Sequence, residues 1–109
     1  MTKIIIFKNQ DDIMGFELNG HAGYAEHGKD IVCSAISILV INAINSVEKL
    51  SDDGFKTEID EKRGYIRFHL DEEKPCDVTK TILESLVLGL DMLRIEYGKK
   101  YIKLEFKEV

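Results

Sequence analysis

Proline and cysteine are scarce in this chain, and each shortage excludes something. Of 109 residues one is proline, Pro75, and two are cysteine, Cys33 and Cys76. Two cysteines without a Cys-x-x-Cys motif give no disulfide framework and no standard redox pair. Positive charge is short too: 15 Lys and Arg against 20 Asp and Glu leave a formal net charge of −5. A protein that grips nucleic acid through its phosphates needs the opposite balance, so no direct nucleic-acid binding is expected. An acidic surface suits a basic protein tail as substrate, and solubility alone explains it equally well. Long apolar runs are also missing. Lys3 is followed only by Ile4 to Phe7, too few residues for the apolar region of a signal peptide. Residues 31–47 carry no charge, but Ser34, Ser37, Asn42, Asn45 and Ser46 interrupt them, and they fall short of the ~20 residues a membrane span needs. The expectation is a buried helix in a cytoplasmic protein with no membrane association.

What is there fits one domain over residues 1–109, large enough for a single core. Hydrophobic residues make up 44% and charged residues 32%, the balance of a globular protein. No repeat, linker or low-complexity segment divides it. Lys3 to Lys8 reads as a strand apolar enough to be buried on both faces. A turn at Asn9 to Asp12 leads to a second strand, Ile13 to His21. A helix from Ile31 to Leu50 follows, with a stripe of Ile36, Leu39, Val40, Ala43, Val47 and Leu50 widened by Ile38, Ile41 and Ile44. Phe55 to Asp60 and Tyr65 to Leu70 form a hairpin around Lys62, Arg63 and Gly64. Pro75 introduces a second helix with Val78, Ile82, Leu86, Leu90, Leu93 and Tyr97 on one face, stopped by Gly98. Tyr101 to Lys107 is the last strand. The order ββαββαβ predicts a two-layer α+β fold: two main helices on a mixed or antiparallel sheet of about five strands. The apolar width of the first helix exceeds what one small sheet covers, so a homodimer is expected.

Chemistry concentrates between Gly20 and Ser37. Glycines at 20, 23 and 28 join a strand end carrying His21 to a helix start carrying Cys33. A thiol beside an imidazole is the pairing that cysteine nucleophiles use. Asp30 is a good N-cap, which places Cys33 at the third helical position, among N–H groups that favour a thiolate. The same cap sets a carboxylate near the sulfur, which opposes the thiolate. Asp30 is therefore either the cap or an orienter of the His21 imidazolium. Ser37 lies one turn above Cys33 on the same helical face.

The run Gly20-His21-Ala22-Gly23, then Gly28, Asp30-Ile31-Val32-Cys33, Ala35 and Ser37 resembles the signature of the ribosomal-processing cysteine proteases, the Prp family. Ser34 departs from it slightly, standing where many members carry Ala. Members are small bacterial cytoplasmic proteins, described as dimeric. They remove an N-terminal extension from a large-subunit ribosomal protein, number twenty-seven, cutting after an aromatic residue. The resemblance implies a cysteine endopeptidase with His21 and Cys33 as its catalytic pair and a ribosomal-protein N-terminal peptide as substrate. Gly20, Gly23, Gly28, Asp30 and Ser37 are the expected supporting or substrate-loop residues. Such chemistry requires no cofactor. The oxyanion is expected to meet backbone N–H groups at the helix N-terminus or in the glycine-rich loop.

Duller explanations exist for each residue. A cysteine in the first turn of an apolar helix is more often a small core residue, and a histidine closing a strand is more often structural. The glycine-spaced motif is what reverses those odds. His27 reads as a solvated loop residue, and Tyr24 as either the wall of an aromatic pocket or a loop tip. A zinc site built from His21, His27 and Cys33 matches no standard short spacing. A non-catalytic ribosome-associated module using the Gly20 to Gly28 loop is the other alternative.

Overall fold

The structure is a computed structural model and describes residues 1–26 and 30–109. Among the described residues, five strands form one sheet and two helices cover it. The elements run β1 (Thr2–Asn9), β2 (Asp12–Asn19), α1 (Ile31–Leu50), β3 (Phe55–Asp60), β4 (Tyr65–Leu70), α2 (Asp77–Tyr97) and β5 (Ile102–Glu108). The expected order ββαββαβ is thus the observed one. Strand order across the sheet is β3-β4-β2-β1-β5. β1 pairs in parallel with β5 and every other pairing is antiparallel, so the sheet is mixed.

That order explains why both helices share a face. The β2–α1–β3 connection crosses toward one edge, and β4–α2–β5 crosses toward the other. β2 and β4 also run in opposite directions. Two right-handed crossovers that differ in both respects place their helices on the same side. The core lies between the layers. Ile4 and Ile6 of β1 sit opposite Leu18 and Phe16 of β2, and Phe16 opposite Phe68 of β4, so one face of three strands is continuous. The Phe16 and Phe68 rings stack with centroids 5.1 Å apart, and Phe55 joins them at 4.9 Å from Phe68. Aromatic pairs of this kind add about 0.5–1.5 kcal/mol beyond their buried area.

The other face carries no helix, so the expectation that β1 is buried on both faces holds only in part: Phe7 is buried there under Arg67, whose guanidinium lies 5.5 Å from its ring. Ile4 and Ile6 are fully buried, but Ile5 is only half-buried, because no layer lies on its side. Charged pairs occupy that side instead, among them Arg67–Glu17 at 3.8 Å and Lys103–Glu105 at 3.1 Å. β2 also ends earlier than expected. It stops at Asn19, where Gly20 with φ 91° turns the chain away, so His21 follows the strand rather than closing it.

By length and composition α1 is apolar enough to cross a bilayer, yet in this fold it lies on the sheet with Val32, Ile36, Val40, Ala43, Ile44 and Val47 buried. Leu50, expected in the stripe, is mostly exposed, as is Ile38. α2 is turned about one position from its expected face. Thr79, Leu83, Leu86 and Leu90 are buried, Ile82, Leu93 and Tyr97 pack at the margin, and Val78 is exposed. Thr79 draws that turn inward: its hydroxyl donates to the Ser51 Oγ at 2.9 Å, linking the start of α2 to the end of α1.

Candidate active site

A cleft of about 660 Å³ opens where the end of β2, the first turns of α1 and the β3–β4 hairpin meet. His21 and Cys33 both line it, and so do Gly20, Gly23, Asp30 and Ser37. Six of the seven residues singled out in the sequence are therefore brought to one place. The seventh, Gly28, lies outside the described residues, as does His27. Among the described residues no three His, Cys, Asp or Glu side chains are grouped to hold a metal. Tyr24 is not a cleft wall. Its ring packs edge-on against Tyr97 and Tyr101, with centroids 5.6 and 5.2 Å away, tying the loop to the end of α2. Cys76 sits at the start of α2, where its N–H donates to Asp53, and takes no part in the cleft.

Asp30 is the organising residue. One carboxylate oxygen, Oδ1, accepts the Cys33 N–H at 2.9 Å and caps α1. The other, Oδ2, accepts the Tyr24 N–H at 2.9 Å and the Ala25 N–H at 3.5 Å. The carboxylate thus fixes the helix start and the loop together, and the choice between cap and His21 orienter falls to the cap. Burial alone would raise the Asp30 carboxyl. The donors from Cys33, Tyr24 and Ala25 outweigh it and hold the group below its ordinary value.

The sulfur feels the reverse. Burial pushes the Cys33 thiol above its ordinary value, and the Asp30 charge adds to the rise; the Ala22 and Gly23 N–H groups oppose both. Of the two effects anticipated at this helix terminus, the one that opposes the thiolate prevails, with burial as the larger contribution. Asp30→Asn keeps a capping oxygen and removes the charge. The rate of Cys33 alkylation against pH is therefore expected to inflect at lower pH in Asp30→Asn than in the parent. An inflection that stays in place or moves up would show that the Asp30 charge does not govern the thiol.

The profile of the cysteine protease Prp family matches residues 1–103. The chain belongs to the Prp family of cysteine proteases. It is 31% identical over 101 residues to the ribosomal processing cysteine protease Prp of Bacillus subtilis, spanning 89% of this chain and 90% of that one. With the Staphylococcus aureus Prp it shares 25% identity over 108 residues, covering 98% and 99%. A crystal structure from Streptococcus mutans superposes with a TM-score of 0.87 at 28% identity, covering 100% of this chain and 96% of that one. The S. aureus Prp in complex with a covalently linked product peptide superposes with a TM-score of 0.91 at 24% identity, covering 98% and 100%, and so shares the fold.

Three contributors to this Prp cleft carry no local signal in the sequence. His21 Nε2 lies 3.3 Å from the Lys62 carbonyl in the β3–β4 turn. A carbonyl only accepts, so Nε2 is the donor in this contact. Gly64, with φ 62°, brings that turn against the strand end. A Cβ there would stand 2.9 Å from the Gly20 oxygen and 3.1 Å from His21 Cε1. Ile59 and Ile66 of the hairpin line the cleft together with Ile38 and Ile41 of α1 and give it an apolar lining. Each contact joins residues about 20 or more positions apart, which no periodicity or spacing encodes.

Proposed function

We propose that this chain is an endopeptidase that removes the N-terminal extension of a large-subunit ribosomal protein, number twenty-seven, cutting after an aromatic residue. The observation that carries the reading is the meeting of His21 and Cys33 in one cleft. The names of its relatives, ribosomal processing proteases, support the substrate class. The net charge of −5 suits a basic ribosomal tail.

In this reading the Cys33 thiol passes its proton to His21 as the sulfur attacks the scissile carbonyl. A sulfur electron pair forms the S–C bond, and the carbonyl π pair moves onto oxygen. When the carbonyl re-forms, the C–N bond breaks and the imidazolium gives its proton to the departing amine. Water then attacks the thioester, His21 takes a proton from it, and the thiol leaves with that proton. The acid product and the starting enzyme result. Ser37, exposed one turn above Cys33, offers a hydroxyl beside the incoming chain. No cofactor enters the balance. The chain works in the cytoplasm, where its substrate is made, without touching nucleic acid or membrane.

The apolar lining of Ile38, Ile41, Ile59 and Ile66 is the place for the aromatic ring. Burying such a ring is worth about 1.5–3 kcal/mol, so its replacement by Ala is expected to lower kcat/KM by about one to two powers of ten. The test uses a peptide spanning the extension, its Ala counterpart, and mass spectrometry of the products. Equal cutting of both, or scattered cutting, leaves a general peptidase. The protein also acts as a homodimer built on α1 or its flanks, where Ile31 and Leu50 are 52% and 66% exposed. Sedimentation at twice the 12.5 kDa chain mass is expected at micromolar concentration, and a 12.5 kDa species would refute the dimer.

A further inference from the structure

The helix terminus that carries Cys33 is a poor place to hold an oxyanion in this chain. The Cys33 N–H is held by Asp30 Oδ1 at 2.9 Å, and the Ser34 N–H by the Asp30 carbonyl at 3.0 Å. Both helix donors nearest the sulfur are engaged before any substrate arrives. A different donor points at the sulfur: the Ala22 N–H, 3.0 Å from Sγ. Ala22 is almost completely buried, so water competes little for that N–H. We infer that the backbone N–H of Ala22, with that of Gly23 beside it, forms the oxyanion hole, and that the strand-exit loop rather than α1 supplies it. The inference rests on Cys33 being the nucleophile.

The chemistry follows from position. When Sγ bonds to the carbonyl carbon, the π pair goes to an oxygen attached to that same carbon. That oxygen is one bond from the atom that bonds to Sγ, so a donor poised on the sulfur reaches it by a small shift. Catalytic donors sit about 3 Å from the oxyanion position and gain most where water is excluded. The donor is also fixed in advance. Gly20 and Gly23 take φ of 91° and 75° on either side of it. The Thr2 hydroxyl donates to the Gly20 carbonyl at 3.2 Å on one flank, and Asp30 Oδ2 holds Tyr24 and Ala25 on the other. Asp30 therefore has a double effect: it withdraws the Cys33 N–H from the reaction and anchors the loop that replaces it.

Cys33 is itself the junction needed for the test. Residues 1–32, made as a synthetic thioester, can be ligated to residues 33–109 beginning at Cys33. Replacing Ala22 by lactic acid turns one N–H into an ester oxygen in the full chain. A second chain carries glycolic acid in place of Gly23. Each is compared with the all-amide ligated chain for cleavage of the extension peptide and for Cys33 alkylation by iodoacetamide, a reaction with no oxyanion. The Ala22 ester is expected to lower kcat by about 10²- to 10³-fold, and alkylation by less than tenfold. A donor that serves only the thiolate would lower both equally, and that result, or unchanged cleavage, overturns the inference. Should the Ala22 ester fail to fold by circular dichroism, the Gly23 ester decides by the same comparison. The all-amide chain and recombinant Cys33→Ala report separately on the protease reading: cleavage by the first and none by the second leaves that reading standing if the oxyanion assignment falls.

Discussion

Cys33→Ala and His21→Ala are each expected to lower peptide cleavage by at least about 10⁴-fold while the chain remains folded. Nucleophile and base act as a unit, so removing either costs nearly as much as removing both. His21→Ala costs the fold little, and Cys33→Ala costs it the acceptor of the buried Ala22 N–H, about 1–3 kcal/mol, which leaves the chain folded but lowers its melting temperature. His21 is exposed, and Cys33 is partly exposed at the edge of the core. The double variant is therefore expected to be no slower than either single one within a factor of a few. Cys76→Ser is the control. Cys76 is exposed at the start of α2, and its contacts run to Asp53 and Thr79, away from the cleft. Peptide cleavage measured on all four proteins, with circular dichroism melts, gives the answer. Full activity in Cys33→Ala would end the thiol mechanism.

The sequence discloses the local parts of this arrangement because local physics sets them. Asp30 caps α1 through an oxygen only three residues from the N–H it accepts, and a capping residue before an apolar run is a near-neighbour signal. The hairpin ends at Asp60 and Tyr65 are where alternation stops and Lys62, Arg63 and Gly64 intervene. Tyr24 was open between two roles because a tyrosine in a glycine-rich loop has no period to obey. Tyr97 and Tyr101, more than 70 residues on, settle its place. The same holds for α2. Its own pattern allows two neighbouring stripes, and the hydrogen bond from Thr79 to Ser51 selects one. Strand order depends on how two crossovers pass over the sheet, and that is a property of the whole chain. The tilt of the thiol toward its protonated form is likewise a balance: the sequence places a dipole and a carboxylate at one atom, and only burial decides between them.

The largest effect from a residue outside the catalytic pair and its oxyanion donors is expected at Gly64. Gly64→Ala should lower kcat/KM by about 10²-fold, with most of the loss in kcat, because the β3–β4 turn must retreat from Gly20 and carry the Lys62 carbonyl away from His21. Two costs are mixed in that variant and need separation. Alanine at φ 62° is left-handed, which costs about 1–2 kcal/mol anywhere. Gly98 provides the comparison. At φ 98° and ψ 165° it too is a glycine conformation, with a penalty on the order of 1–3 kcal/mol for alanine, but a Cβ there meets nothing within 4 Å. Gly98→Ala is therefore expected to melt lower than the parent and to cleave as well as it does. Gly64→Asn adds the third point. Asparagine tolerates the left-handed backbone yet still carries a Cβ, so it should regain stability and stay slow. Normal kcat/KM in a folded Gly64→Ala would mean that the turn merely packs beside His21 and does not position it.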